Sequence, residues 1–143
     1  MNPAMSAVER RLDELLSRLR TLEEMAEKDR AEFADDRFLR DVVERNFEVA
    51  IQCCLDIANR IISIEKTKKP SDYRESLLKL GELGVMPGDF ARRIAPLAGF
   101  RNVLVHEYTD IDWDEVYANL DRINDLREFA RHVGLWLKES NPD

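Results

Sequence analysis

Two cysteines, two histidines, five glycines and five prolines are all that the 143 residues hold of these types. Each scarcity narrows the reading. Cys53 and Cys54 are neighbours in an apolar run. Adjacent side chains on a helix point in different directions, which excludes an ordinary disulfide between them. They read as small buried hydrophobes, and a cytoplasmic, reducing location is expected. The cysteines and histidines form no metal-ligand cluster, so no metal is expected. So little glycine and proline argues against a loop-rich or disordered chain. No apolar run approaches the roughly 20 residues that cross a bilayer, and no signal peptide is visible. A membrane partner is therefore not expected. The chain also lacks a glycine-rich phosphate loop, a serine nucleophile elbow and paired carboxylates in an evident cleft, and no cofactor is expected.

Positive charge is in deficit. Twenty-two Lys and Arg stand against 29 Asp and Glu, a formal net charge of −7. Nucleic-acid binders usually show a basic field, so broad DNA binding is not expected. A local basic pocket and a basic partner protein both stay open.

What is present is helical periodicity. Hydrophobic residues make up 44% and charged residues 36%, the balance of solvated helices around one core, and the length fits a single domain, 1–143. Ser6 with Glu9 resembles a capping box opening a helix from about Ala7 to Phe33, which the stretch 34–36, "ADD", interrupts. A second helix, about Asp36 to Glu65, carries Val43, Phe47, Ala50, Ile51, Cys54, Ala58, Ile61 and Ile62 on one stripe. Leu39, Val42, Val49, Cys53 and Ile57 widen that stripe. So apolar a circumference must be covered by several neighbours. Asn46 lies within this face and needs a partner, either as a locally bonded core residue or as support for a site. "KTKKPSD", 66–72, is a loop ending in cap residues. A short helix, about Tyr73–Leu83, follows. Pro87 suits the first turn of the next helix, in which Pro96 imposes a kink or a break. Asp112 and Glu115 have cap spacing for a last helix, about Trp113–Lys138. The sum is an all-α, up-and-down bundle of four main helices and a short one.

Polar chemistry gathers in 99–108, "GFRNVLVHEY". With Arg101 at zero, Val105 lies roughly 40° away, Asn102 roughly 100°, His106 roughly 140° and Tyr108 roughly 20° to the other side. One fan of the helix thus holds Tyr108, Arg101, Asn102 and His106. An imidazole exchanges protons near neutral pH. A guanidinium clamps a phosphate with two hydrogen bonds and opposes the charge that builds at phosphorus. An asparagine orients either. The set suits metal-free RNA cleavage, because the ribose 2′-hydroxyl is the nucleophile and the protein supplies only acid/base and electrostatic groups. On an unbroken helix one Arg101 and one His106 diverge. A two-fold axis near the stretch, in a homodimer, would gather two of each around one groove. The competing reading is structural, since one histidine and one arginine at a helix end form a weak motif.

This stretch resembles the signature of the HEPN superfamily, and specifically of the HepT toxins of HepT–MntA toxin–antitoxin systems: Arg101, a polar residue, three more, His106, one residue, Tyr108. The runs 44–63, "ERNFEVAIQCCLDIANRIIS", 72–87, "DYRESLLKLGELGVMP", and 111–129, "IDWDEVYANLDRINDLREF", resemble the family's long second helix, middle segment and last helix. The likeness runs from about residue 36 to 137. The N-terminal helix, about 1–33, carries the weakest likeness, and partner contacts rather than chemistry are expected of it. The resemblance implies an all-α bundle that dimerises with the motifs facing each other, and metal-independent endoribonuclease activity. Arg101 and His106 are then catalytic, with Asn102 as helper. It also implies a nucleotidyltransferase antitoxin of MntA type that attaches AMP to Tyr108. Two other readings stay in contention: a HEPN module that binds nucleotide or a partner without catalysis, and a helical dimerisation scaffold.

Among the remaining residues, Trp113 reads as a packing residue that locks the turn. His132 reads as structural or surface, and Arg92 and Arg93 as a solvated face.

Overall fold

A helix that is apolar on both flanks cannot sit at a surface, and the architecture follows from that requirement. The computed structural model describes residues 2–105 and 112–140, and no strand occurs among them. The central helix, α3, spans Arg37–Ile64. Asp36 caps it, accepting hydrogen bonds from the Phe38 and Leu39 amides at 3.0 and 3.2 Å, at the boundary expected from the sequence. All eight residues of the stripe named above are buried, as are Cys53 and Ile57 on its flank.

α1 (Pro3–Ala26) and α2 (Arg30–Ala34) come before α3, and α4 (Tyr73–Glu82), α5 (Gly88–Ile94), α6 (Leu97–Val105), α7 (Trp113–Ala118) and α8 (Ile123–Ser140) come after it. α1 runs antiparallel to α3, with Arg11 beside Asp56 and Arg18 reaching Asn46. α8 packs on both, and α4 and α6 also pack on α3. One apolar cluster extends from Met5 to Leu137. The result is the helical bundle expected, cut into shorter pieces.

Each additional cut has a local cause. α1 begins at Pro3, not Ala7. Asn2 accepts from the Met5 amide at 2.8 Å, and proline suits the first helical position, so Ser6 and Glu9 form no capping box. α1 then ends at Ala26 rather than near Phe33, because Asp29 is extended (ψ 147°). The turn lets α2 bury Phe33 completely, its ring 5.3 Å from Trp113 and 5.9 Å from Tyr117. Trp113 is thus a packing residue. Pro87 stands one place outside α5, as its N-cap. Pro96 has no amide hydrogen, and the chain breaks there between α5 and α6. The last helix starts at Trp113, where Asp112 accepts from Asp114 and Glu115 amides at 3.0 and 3.4 Å. It tightens to a 3₁₀ turn over Asn119–Arg122 before α8. Three residues per turn bring Leu120 and Ile123 to the same inward side, and both are buried.

Both cysteines are buried and unbridged. Burial pushes the Cys53 thiol up to about 11, with the Glu14 carboxylate adding to it. Arg92 and Arg93 are exposed, as expected, and Arg93 also bonds Asp125 and Glu128 at 3.2 and 3.1 Å and stacks over Phe90.

Two outcomes are expected. Phe47, fully buried, meets Phe100 edge to face at 5.5 Å. Phe47→Ala should cost about 3–5 kcal/mol, read as a fall in the urea midpoint at unchanged m-value. His132 lies 5.2 Å from the Phe90 ring, and burial, then the Arg131 charge, hold its imidazole below the ordinary 6.5. The unfolded chain takes up a proton that the folded chain resists, so this contribution is intact above pH 6.5 and is lost as pH falls below it. The urea midpoint should drop less between pH 7.5 and 5.5 in His132→Gln than in the wild type; equal drops would contradict this.

Candidate active site

α6 restarts the chain after Pro96 and turns Leu97, Ala98, Phe100 and Leu104 into the core. Phe100 docks on Phe47 of α3. Arg101, the next residue, therefore emerges half-buried along the flank of α3. Its Nε donates to Gln52 Oε1 at 2.9 Å. Gln52 Nε2 donates in turn to Asp56 Oδ1 at 2.9 Å. Only one orientation of the Gln52 amide serves both neighbours, with oxygen toward the guanidinium and nitrogen toward the carboxylate. Asp56 Oδ2 lies 3.6 Å from Arg11 Nε on α1.

The Tyr73 ring, at the start of α4, lies 5.7 Å from Arg101 Cζ, a cation–π placement. Arg101 Nη1 donates to Asn102 Oδ1 at 3.4 Å, and Asn102 is exposed. The guanidinium is thus fixed at Nε and against an aromatic face. Among the described residues Nη2 has no hydrogen-bond partner. A guanidinium mounted by its Nε, with one Nη1 hydrogen on Asn102, keeps an N–H on each terminal nitrogen for an anion, and two phosphate oxygens fit that fork.

Of the residues singled out in the sequence, Arg101 and Asn102 are brought together here. His106 and Tyr108 lie outside the described residues. Asn46 is buried and donates to its own helix at Val42 O, 2.7 Å, while accepting from Arg18 Nη1 at 3.3 Å. Six residues before Gln52, it points roughly 120° away around α3, and its partner there is Arg18 of α1. Gln52, Asp56 and Tyr73 were not anticipated. The available signal was a polar i, i+4 pair, Gln52 and Asp56, interrupting an otherwise apolar helix. Nothing local announces Tyr73.

No group of three or more His, Cys, Asp or Glu capable of holding a metal occurs among the described residues. None of their helices is long and apolar enough to cross a membrane.

Comparison with known proteins bears on the family and the fold. The tRNA nuclease HepT of Aphanizomenon flos-aquae is 37% identical over 76 residues, 53% of this chain and 52% of that protein. The chain thus spans about half the length of this relative. The mRNA nuclease HepT of Shewanella oneidensis is 26% identical over 102 residues, 71% of this chain and 77% of that protein. A solved structure of the tri-AMPylated Shewanella oneidensis HEPN toxin in complex with an MNT antitoxin superposes with a TM-score of 0.80 at 21% identity, covering 94% of this chain and 99% of that one; the two share a fold. The family described as "Ribonuclease HepT-like" matches residues 15–133, and the chain belongs to that HepT-like family.

Proposed function

We propose that this chain is a metal-independent endoribonuclease, the toxin of a toxin–antitoxin pair. One observation carries the reading: Arg101 is held at Nε by Gln52 and against Tyr73, with no hydrogen-bond partner at Nη2 among the described residues, in a chain of the HepT-like family. Two relatives named as a tRNA and an mRNA nuclease support it.

In the proposed reaction the scissile phosphate of RNA lies on the Arg101 fork. The His106 imidazole takes the proton of the adjacent 2′-hydroxyl. The 2′-oxygen bonds to phosphorus, the bond from phosphorus to the 5′-oxygen breaks, and the leaving oxygen takes a proton from a second, protonated imidazole. The products are a 2′,3′-cyclic phosphate and a 5′-hydroxyl, and no redox partner or metal enters the balance. Arg101 opposes the charge growing on the phosphoryl oxygens, with Asn102 orienting one of them. Read along an unbroken helix, Arg101 and His106 would diverge by roughly 140°. Two copies about a two-fold axis supply both imidazoles to one groove, so the active species is a homodimer. Asn46 acts only at a distance, by tying α1 to the helix that carries Gln52.

Control is proposed to come from a nucleotidyltransferase antitoxin of MntA type that attaches AMP to Tyr108. The solved relative that is both AMPylated and held by an MNT antitoxin supports this. AMP brings phosphate charge and bulk to the motif and would compete with RNA for Arg101.

Purified protein should cleave single-stranded RNA in excess EDTA and leave cyclic phosphate ends. Arg101→Ala should lower kcat by about 10²–10³ and His106→Ala by about 10²–10⁴, with helicity retained. Gln52→Leu should lower kcat more than it raises KM, and Gln52→Glu, whose carboxylate would meet that of Asp56 and offset the guanidinium charge, should not restore it. Cleavage abolished by EDTA, or unimpaired in Arg101→Ala, would end this reading. Incubation with ATP and the nucleotidyltransferase should add AMP to the 99–108 peptide, by mass spectrometry, and not in Tyr108→Phe. Modification persisting in that variant would place it elsewhere.

A further inference from the structure

The chain from Arg101 through Gln52 to Asp56 does not stop at the carboxylate. Asp56 faces Arg11, and there the surface between α1 and α3 opens into two adjoining clefts. One, of about 440 Å³, is lined by Arg10, Arg11, Glu14 and Arg60 with Ala7. The other, of about 360 Å³, is lined by Arg11, Asp56, Asn59 and Arg60. Arg11 and Arg60 belong to both, so the clefts form one groove.

Three guanidinia in one groove are unexpected on a chain of net charge −7. The two acids that share it are already engaged. Glu14 holds Arg18 at 3.1 Å, and Asp56 accepts from Gln52 and faces Arg11. Among the described residues Arg10 and Arg60 enter no ion pair, and both are exposed. The local balance is therefore positive, with two guanidinia uncommitted.

The groove is also in line with the candidate site. Gln52, Asp56 and Arg60 repeat at intervals of four along α3 and make one slowly winding stripe. From Gln52 to Arg60 the helix rises about 12 Å, the length of roughly three to four stacked nucleotides of one strand. A strand whose scissile phosphate sat on Arg101 would reach the groove with a phosphate only a few nucleotides away. Arginine suits that contact because its fork matches phosphate and needs no particular base.

The geometry points to Arg10, Arg11 and Arg60 as a binding site for the sugar–phosphate backbone of single-stranded RNA, tracking the strand away from the scissile phosphate. This inference rests on the ribonuclease reading and adds where the substrate lies. It assigns the N-terminal helix a share in substrate binding, where only partner contacts were expected of it.

The test compares the full-length wild type with Arg10→Ala/Arg60→Ala and Arg10→Lys/Arg60→Lys. Arg11 is left in place because it faces Asp56. Binding of a fluorescent single-stranded RNA of about 20 nucleotides, longer than typical single-strand sites, is read by anisotropy across a salt series. Cleavage of the same RNA is read separately. The alanine pair should bind about tenfold more weakly, with log K against log salt flatter by about 1.4, two phosphates at 0.7 each. KM should rise in step while kcat changes less than twofold, and the lysine pair should recover most of the affinity. Wild-type affinity and salt slope in the alanine pair would overturn the proposal. So would intact RNA binding combined with lost binding to the nucleotidyltransferase, which would make the groove a protein-docking surface. If the wild type binds RNA through these arginines but cleaves none, the groove stands and the nuclease reading falls. If it cleaves while the alanine pair binds as the wild type does, the reverse holds.

Discussion

The contact between Phe47 and Phe100 is the constraint on which the candidate site depends. α6 has nine residues, far below the length at which a helix persists alone in water. A proline break separates it from α5, so it inherits no direction from the preceding helix. Its orientation is set by burial, through Phe100 and Leu104 against α3. Arg101 is the residue after Phe100, and Gln52 stands five places after Phe47. One edge-to-face aromatic pair therefore fixes both ends of the bond between guanidinium and amide. The floor of the site and its positioning group lie on the same helix, which is the most enclosed element of the fold.

The chemistry of that positioning group matters as much as its place. A carboxylate against Arg101 Nε would hold the side chain firmly, but it would also cancel the charge that attracts a phosphate. A glutamine fixes the same nitrogen and leaves the charge intact. Asp56 stands four residues further along α3, where it satisfies the amide nitrogen and sets its orientation. Its own charge faces Arg11. The Tyr73 ring adds attraction worth on the order of 0.5–1 kcal/mol at an exposed position, again without a competing anion. The mount restricts the guanidinium while keeping it an anion receptor.

The long central helix was legible because its signals are local. Asp36 caps it, its apolar stripe has the helical period, and the charged loop 66–72 follows its end. Tyr73, Pro96 and Asp112 marked boundaries for similar reasons. The break after Ala26 was not legible, since nothing in that stretch demands it; Phe33 demands it, by filling a space beside Trp113 and Tyr117. The 3₁₀ turn at Asn119–Arg122 likewise answers to the core rather than to composition. In the candidate site, Arg101 and Asn102 were legible because they share one short motif. Gln52 lies 49 positions from Arg101, and Tyr73 is on a third element. Their meeting is decided by how α4 and α6 settle on α3, which one sequence does not display. Asn46 shows the converse: a polar residue in an apolar face drew notice, and its bonds run to α1 and its own helix.

The acidic balance of the chain is easier to understand at the length scale of the screening. At physiological salt a charge is felt over about 8 Å, less than the roughly 12 Å between Gln52 and Arg60 along α3. A strand lying on this face would respond to Arg101 and the α1–α3 arginines, and scarcely to acidic residues across the bundle. Net charge then governs how fast a polyanion approaches from a distance, and local charge governs how it is held. An acidic exterior with a basic track gives weak attraction overall and firm contact at one place.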